Sequence, residues 1–200
     1  MSEHKPFLIV ISAPSGCGKT TLLRLLLDKF SDIGVSVSHT TRPMRKGEAK
    51  GVDYNFVDIE TFIDMQQAGK FIESATVHNN SYGTSYAAVD DLLDRGYDVI
   101  LDIDVQGVQL LKSKNRYDFV SIFIIPPTLD ELESRLRARK TDSEDVIMQR
   151  LINAGNEIKF ANLYDYQVVN DLLDKAFSDL SAIITAERLR SFRLINNVNL

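Results

Sequence analysis

Some stretches of the chain are apolar without alternation: FLIVI at 7–11, DVILDID at 98–104 as far as its carboxylates, and FVSIFIIPP at 119–127. Continuous β-branched runs of this length predict strands covered on both faces of a parallel sheet. Elsewhere apolar residues recur at helical spacing. TTLLRLLLDKF predicts a helix ending near Phe30, and IETFIDMQQAG one that Asp58 caps and Gly69 closes. YAAVDDLLDRG and VQGVQLLKSK are further helices. DELESRLRAR follows a Thr128/Glu131 capping box, a long helix is expected over 146–164, and the tail from 171 to about 190 reads as helical. GVSVSHTTRP predicts one short strand that Pro43 keeps from becoming helix. DYNFV, FIESATVHN, YGTS and YQVVN are the remaining strand-like segments.

Alternating strands and helices imply an α/β fold around a parallel sheet. Residues 39–92 interrupt the alternation and predict an inserted lobe. There are no internal repeats and no low-complexity segments.

Composition narrows the classes without choosing among them. Of 200 residues, 44% are hydrophobic and 26% charged, as in ordinary soluble chains. No apolar run approaches the ~20 residues of a membrane helix, and the N-terminus lacks the form of a signal peptide. The single cysteine, Cys17, excludes an internal disulfide framework and fits a reducing cytoplasm. A net charge of −5 argues against broad nucleic-acid binding but leaves room for a local basic site. The oligomeric state is left open.

The first apolar run ends in SAPSGCGKTT. Ala13-Pro14-Ser15-Gly16-Cys17-Gly18-Lys19-Thr20 matches the phosphate-binding loop G-x-x-x-x-G-K-[ST] except at the first glycine, here Ala13. Gly16 and Gly18 let successive N–H groups point into one concavity. The helix beginning near Lys19 adds its N-terminal dipole. In such a loop Lys19 can reach the β- and γ-phosphates, and the Thr20 hydroxyl can ligate Mg²⁺. Alanine is expected at position 13 because φ is negative there. Cys17 is expected to fill space in the loop rather than to react.

Such a loop does not separate a GTPase, an ATPase and a nucleotide kinase. SHTTRPMRKGEAKGVDY places Arg42 and Arg45 three residues apart with Tyr54 downstream. These residues suit a clamp on one phosphate monoester, or else a solvated basic loop.

APSGCGKTTL, VSVSHTTRPMRKGE, DYNFV, FIESA, YGTS and LDIDVQG together resemble guanylate kinase of the bacterial type. IFIIPPTLDELESRLRAR, DSEDVIMQR and YDYQVVND extend the resemblance over nearly the whole chain. It implies a P-loop core (1–38, 93–130, 155–200), a GMP-binding lobe (39–92) and a helical lid (131–154). It also implies transfer of the γ-phosphate of ATP to GMP, and to dGMP, with Mg²⁺. ATP-site residues would be 13–20, Thr21 and Asn170. The GMP phosphate would meet Arg42, Arg45, Tyr54 and Tyr82, and the base Ser38, Glu73 and Thr84. Asp102 and Asp104 would lie near the acceptor and the metal, and Arg135, Arg139 and Arg150 would close over the transferring group. The chemistry agrees with these roles: hydroxyls donate to guanine O6, and a carboxylate accepts from N1–H and N2–H₂. Arg135 and Arg139, four apart, share a helix face from which Arg137 points away.

The chain departs from the family at Lys140, where glycine is frequent, and at Ser81, where tyrosine is frequent. A protein-binding module of the same fold is the alternative. Such modules tend to lose the loop lysine and the lid arginines, which this chain retains.

Overall fold

The computed structural model describes residues 4–77, 79–138 and 142–195. Its main sheet has the order β2-β7-β1-β8-β9. The strands are β1 (Leu8–Ser12), β2 (Ile33–Val35), β7 (Asp98–Asp102), β8 (Phe119–Ile125) and β9 (Tyr166–Val169). Every pairing in this sheet is parallel. A second sheet, β4-β3-β6-β5, is built from β3 (His39–Thr40), β4 (Asn55–Phe56), β5 (Phe71–Val77) and β6 (Asn80–Ser85). Here β6 runs antiparallel to both β3 and β5.

The continuous apolar runs have the expected cause. Every residue of β1 is buried. Ile9 and Ile11 join one core with α1 (Lys19–Lys29), α5 (Leu129–Ala138), α6 (Glu144–Ile158) and α7 (Leu173–Arg188). Leu8 and Val10 face the opposite core, formed with Val89 of α3 (Tyr86–Asp94) and with Val108 and Leu111 of α4 (Val105–Lys114). Alternate side chains of one strand thus bury into two layers. The remaining helix, α2 (Ile59–Gln67), starts where the Asp58 carboxylate accepts from Thr61 N–H at 2.7 Å, and Gly69 follows it at φ 64°.

Several expectations need correction. GVSVSHTTRP is two strands in two sheets. Ser36 N–H still bonds to Ile100 of β7, whereas the Ser38 carbonyl already accepts from Asn55 of β4. A period of two carries no record of a change of partner. The helix expected over 146–164 ends at Ile158. Phe160 and Leu163 bond three residues back, which tightens the chain into a 3-10 turn before β9. The capping box is half formed: Thr128 accepts from Glu131 N–H, while the Glu131 carboxylate turns to Arg135. Among the described residues no helix is long and apolar enough to cross a membrane.

The parallel sheet gathers the candidate residues at one edge. The loop after β1, Asp102 at the end of β7 and Asn170 after β9 all lie at strand C-termini, where open α/β sheets bind ligands. At the opposite end of β7, Asp98 is fully buried. It accepts from His4 Nε2 at 2.9 Å, Phe7 N–H at 3.2 Å and Arg188 Nε at 2.8 Å, so its charge is satisfied within the fold.

Candidate active site

The loop from Ser12 to Lys19 is held from below. Gly16 and Gly18 have φ of 97° and 81°, a region that side-chain-bearing residues rarely enter. Ala13 is not in that region, so alanine fits the first motif position as expected. A Cβ on Gly16 would lie 2.9 Å from Leu132 and Leu136 of α5, and one on Gly18 2.5 Å from the Asn170 amide. Asn170 is buried and donates to the Cys17 carbonyl at 2.7 Å. Cys17 itself belongs to the apolar core. No side chain caps α1, so its first N–H groups stay available to an anion.

Above the loop lies a cavity of about 490 Å³, lined by residues 12–21, Asp102–Val105, Phe123 and Glu157. The Lys19 ammonium pairs with Asp102 across it. Asp104 caps α4, accepting from Gly107 N–H at 2.9 Å. Glu157 reaches in from α6. Burial, reinforced by Asp104 and opposed by Lys19, pushes its carboxyl up from the ordinary range. The sequence reading missed Glu157; its one signal is a carboxylate at the margin of an apolar helix face that contains Ile147 and Ala154.

A second cavity of about 250 Å³ shares the segment 102–104 with the first. Ser38, Tyr54, Glu73, Tyr82, Asp102 and Asp104 line it. Thr84 stands behind Ser38, with the two hydroxyl oxygens 3.3 Å apart, and its N–H donates to Glu73 Oε1 at 3.0 Å. Burial raises the Glu73 carboxyl above its usual range, more than the bonds from Thr84 lower it. Ser36, also missed, lines this cavity with a buried hydroxyl that has no hydrogen-bond partner.

The basic residues are less convergent. Arg42 pairs with Glu48 at 2.7 Å, and its guanidinium stands 5.4 Å from the centre of the Tyr54 ring. Glu48 also accepts from Arg45 N–H, while Arg45 is exposed. Neither arginine lines the second cavity. Arg135 bonds to the carbonyls of Asn170 and Asp171 at 2.8 and 3.3 Å. Arg137 bridges Glu133 and Glu144, and neither it nor Arg135 lines either cavity. Arg150 reaches Ser15 Oγ at 3.2 Å and pairs with Asp142. Arg139, like Lys140, lies outside the described residues.

A family model described as guanylate kinase matches residues 5–187. Guanylate kinase of Sphingopyxis alaskensis is 49% identical over 193 residues, covering 96% of this chain and 88% of its own. That of Desulfotalea psychrophila is 50% identical over 190 residues, covering 95% and 94%. The crystal structure of guanylate kinase from Anaplasma phagocytophilum superposes with a TM-score of 0.74 at 35% identity, over 96% of this chain and 90% of that one. The SH3-kinase fragment of tight junction protein 3 is similar in fold alone, with a TM-score of 0.53 at 12% identity over 94% of this chain and 60% of that one. The match takes in the phosphate loop, both cavities and the helices over them, and the chain belongs to the guanylate kinase family.

Proposed function

We propose that the protein transfers the γ-phosphate of ATP to GMP, giving ADP and GDP, with ATP phosphates in the first cavity and GMP in the second. The observation that carries this reading is the shared segment 102–104: a phosphate loop and a second cavity that holds Ser38 and Glu73 open onto one pair of carboxylates. Main-chain N–H groups of 13–18 and the start of α1 hold the donor phosphates, and Lys19 exchanges Asp102 for phosphate oxygens when they arrive. Asn170 acts as a brace under the loop rather than as a ligand of the adenine.

In the second cavity Ser38 and Thr84 donate to guanine O6, and the Glu73 carboxylate accepts from N1–H and N2–H₂. Tyr54, Tyr82, Arg42 and Arg45 hold the GMP phosphate, for which Arg42 gives up Glu48. That phosphate oxygen is itself an anionic nucleophile, so no general base is required. Residues 39–92 act as the acceptor lobe and 131–154 as a lid, with Arg135, Arg139 and Arg150 spreading the charge of the transition state. dGMP fits the same contacts, since none involves the 2′-hydroxyl.

The donor set also fits Mg²⁺. The Thr20 hydroxyl and the carboxylates of Asp102 and Asp104 are hard oxygen donors that line the first cavity and would hold the ion. Among the described residues no group of three or more His, Cys, Asp or Glu side chains is placed to hold a metal ion, so most of the ligands would have to come from substrate phosphates and water. When bound, Mg²⁺ supplies charge neutralisation on the transferring phosphate.

A coupled assay of ADP formation with a panel of monophosphates tests the reading. Turnover with GMP and dGMP, and little with AMP, is expected. Turnover with AMP but not GMP overturns it. No observation favours a protein-binding module.

A further inference from the structure

The strand that carries Glu73 is irregular where it matters. In the β5/β6 ladder Phe71 pairs with Ser85 and Glu73 with Thr84, so Ile72 is an extra residue on one side. A bulge of this kind re-aims the next side chain and takes main-chain groups out of the ladder. Two sets of hydrogen bonds lie at this irregularity. The Thr84 N–H donates to the Glu73 carboxylate. The Phe71 and Ile72 carbonyls both accept from Lys114 Nζ, at 3.1 and 2.7 Å.

Lys114 does not belong to the sheet it binds. It is the last residue of α4, the helix that Asp104 caps at its other end beside both cavities. Gly107, Leu111 and Lys114 share one face of α4, at spacings of four and seven residues. At the N-terminal end of that face a Cβ on Gly107 would lie 3.4 Å from Glu73 Cγ, so the stem of Glu73 already rests against the helix. Two turns on, about 10 Å along the axis, Lys114 leans back and takes up the Phe71 and Ile72 carbonyls of β5, the last strand of its sheet. Its ammonium also stands 5.4 Å from the centre of the Tyr86 ring, which restricts it further. The bulge is held from the other side by apolar packing: Ile72 is fully buried, and Phe71 stacks on Phe62 with ring centres 4.7 Å apart.

We propose that Lys114 is a positioning residue for the acceptor base, holding the bulge at Phe71–Ile72 so that Glu73 presents its carboxylate to the second cavity. The proposal rests on Glu73 being the carboxylate that reads guanine. Charge-assisted bonds to two carbonyls are stronger than neutral ones, and here they tie a strand of the second sheet to a helix of the first. Without them the extra residue loses the partner of its carbonyl, and the register of Glu73 against Thr84 is no longer pinned.

The test is a double-mutant cycle read by kinetics and by calorimetry with GMP. Lys114→Met keeps the stem and removes the donors. It is expected to raise KM and Kd for GMP about tenfold, the scale of coupling between residues of one network. The expected change in kcat is less than about twofold, and KM for ATP should not move. Lys114→Arg, which keeps charge and donors, restores most of the loss. In a Glu73→Gln background Lys114→Met should add little, because its route to the base is gone. If Lys114→Met does not yield folded protein, Lys114→Gln, with a neutral donor, carries the same comparison. Unchanged GMP affinity in the Lys114 variants while Glu73→Gln loses it overturns the role of Lys114 alone. Penalties that multiply in the double variant also overturn it. Unchanged GMP affinity in Glu73→Gln removes the underlying reading, and the proposal with it.

Discussion

The two cavities share Asp102–Asp104 but are made in different ways. The first is mostly one unbroken run, residues 12–21, and the work proposed for it falls to main-chain N–H groups and a helix end. The second draws Ser38, Tyr54, Glu73 and Tyr82 from separate strands and loops. The difference is what the ligands proposed for them would require. A phosphate group accepts from any inward-pointing N–H, so local backbone conformation is enough to bind it. A purine edge alternates donors and acceptors, so its reader needs particular side chains brought together from distant parts of the chain. The first cavity should therefore be sensitive to what fixes its backbone, and the second to the chemistry of single side chains.

The contrast is broken most severely at Lys19. Lys19→Ala should lower kcat on the order of 10³-fold, the scale on which cations aimed at a transferring phosphate act. Calorimetry should still show GMP binding within about threefold of the parent by the same division of sites. Parallel loss of GMP affinity would merge the two cavities into one functional unit.

Glu73→Gln sharpens the other side. Hydrogen bonds to a charged partner contribute about 1.5–3 kcal/mol, so kcat/KM for GMP should fall about 10- to 150-fold. AMP should become a less poor acceptor, since the repulsion at its N1 is removed. The pH profile gives a second readout. Burial raises the Glu73 carboxyl, and its protonated form could not accept from both of the guanine donors proposed for it. The parent's kcat/KM for GMP should therefore drop as pH falls through that raised pKa, and Glu73→Gln should lack this limb.

Asn170→Ala tests whether the loop depends on its brace. It leaves the Cys17 carbonyl without its amide donor, at a cost of about 1–3 kcal/mol. Thermal denaturation should show a lower Tm, and kinetics a raised KM for ATP with KM for GMP unchanged. A raised KM for ATP at unchanged Tm would instead argue for direct contact with the nucleotide.

The smallest effect is expected at Glu157. Burial and Asp104 raise its carboxyl in the folded state, so folding favours the protonated form. That contribution to stability is present at acid pH and lost as pH rises through the raised pKa. Glu157→Gln should therefore increase Tm by a few degrees at neutral pH, with the gain shrinking toward pH 4. A constant gain across that range would mean that the charge on Glu157 is not what destabilises it.

The residues also differ in how far they could be read before folding. The alternate burial of Leu8, Ile9, Val10 and Ile11 into two layers and the left-handed Gly16 and Gly18 are local or periodic properties. So is the Asp58 cap, and the sequence determined all of these by itself; the Asp104 cap on α4 came only with the structure. Glu73, Thr84 and Ser38 could be named only through resemblance to a family. Nothing in FIESA states that a bulge will precede Glu73, or that Lys114 will bond to the Phe71 and Ile72 carbonyls. The split of GVSVSHTTRP between two sheets, the pairing of Lys19 with Asp102 and the arrival of Glu157 at the first cavity were likewise decided only by tertiary structure. The physical reason is one of range. Backbone conformation and hydrophobic period are set by neighbours within a few residues. Which carboxylate meets which donor depends on segments dozens of positions apart, joined only when the sheets and helices pack.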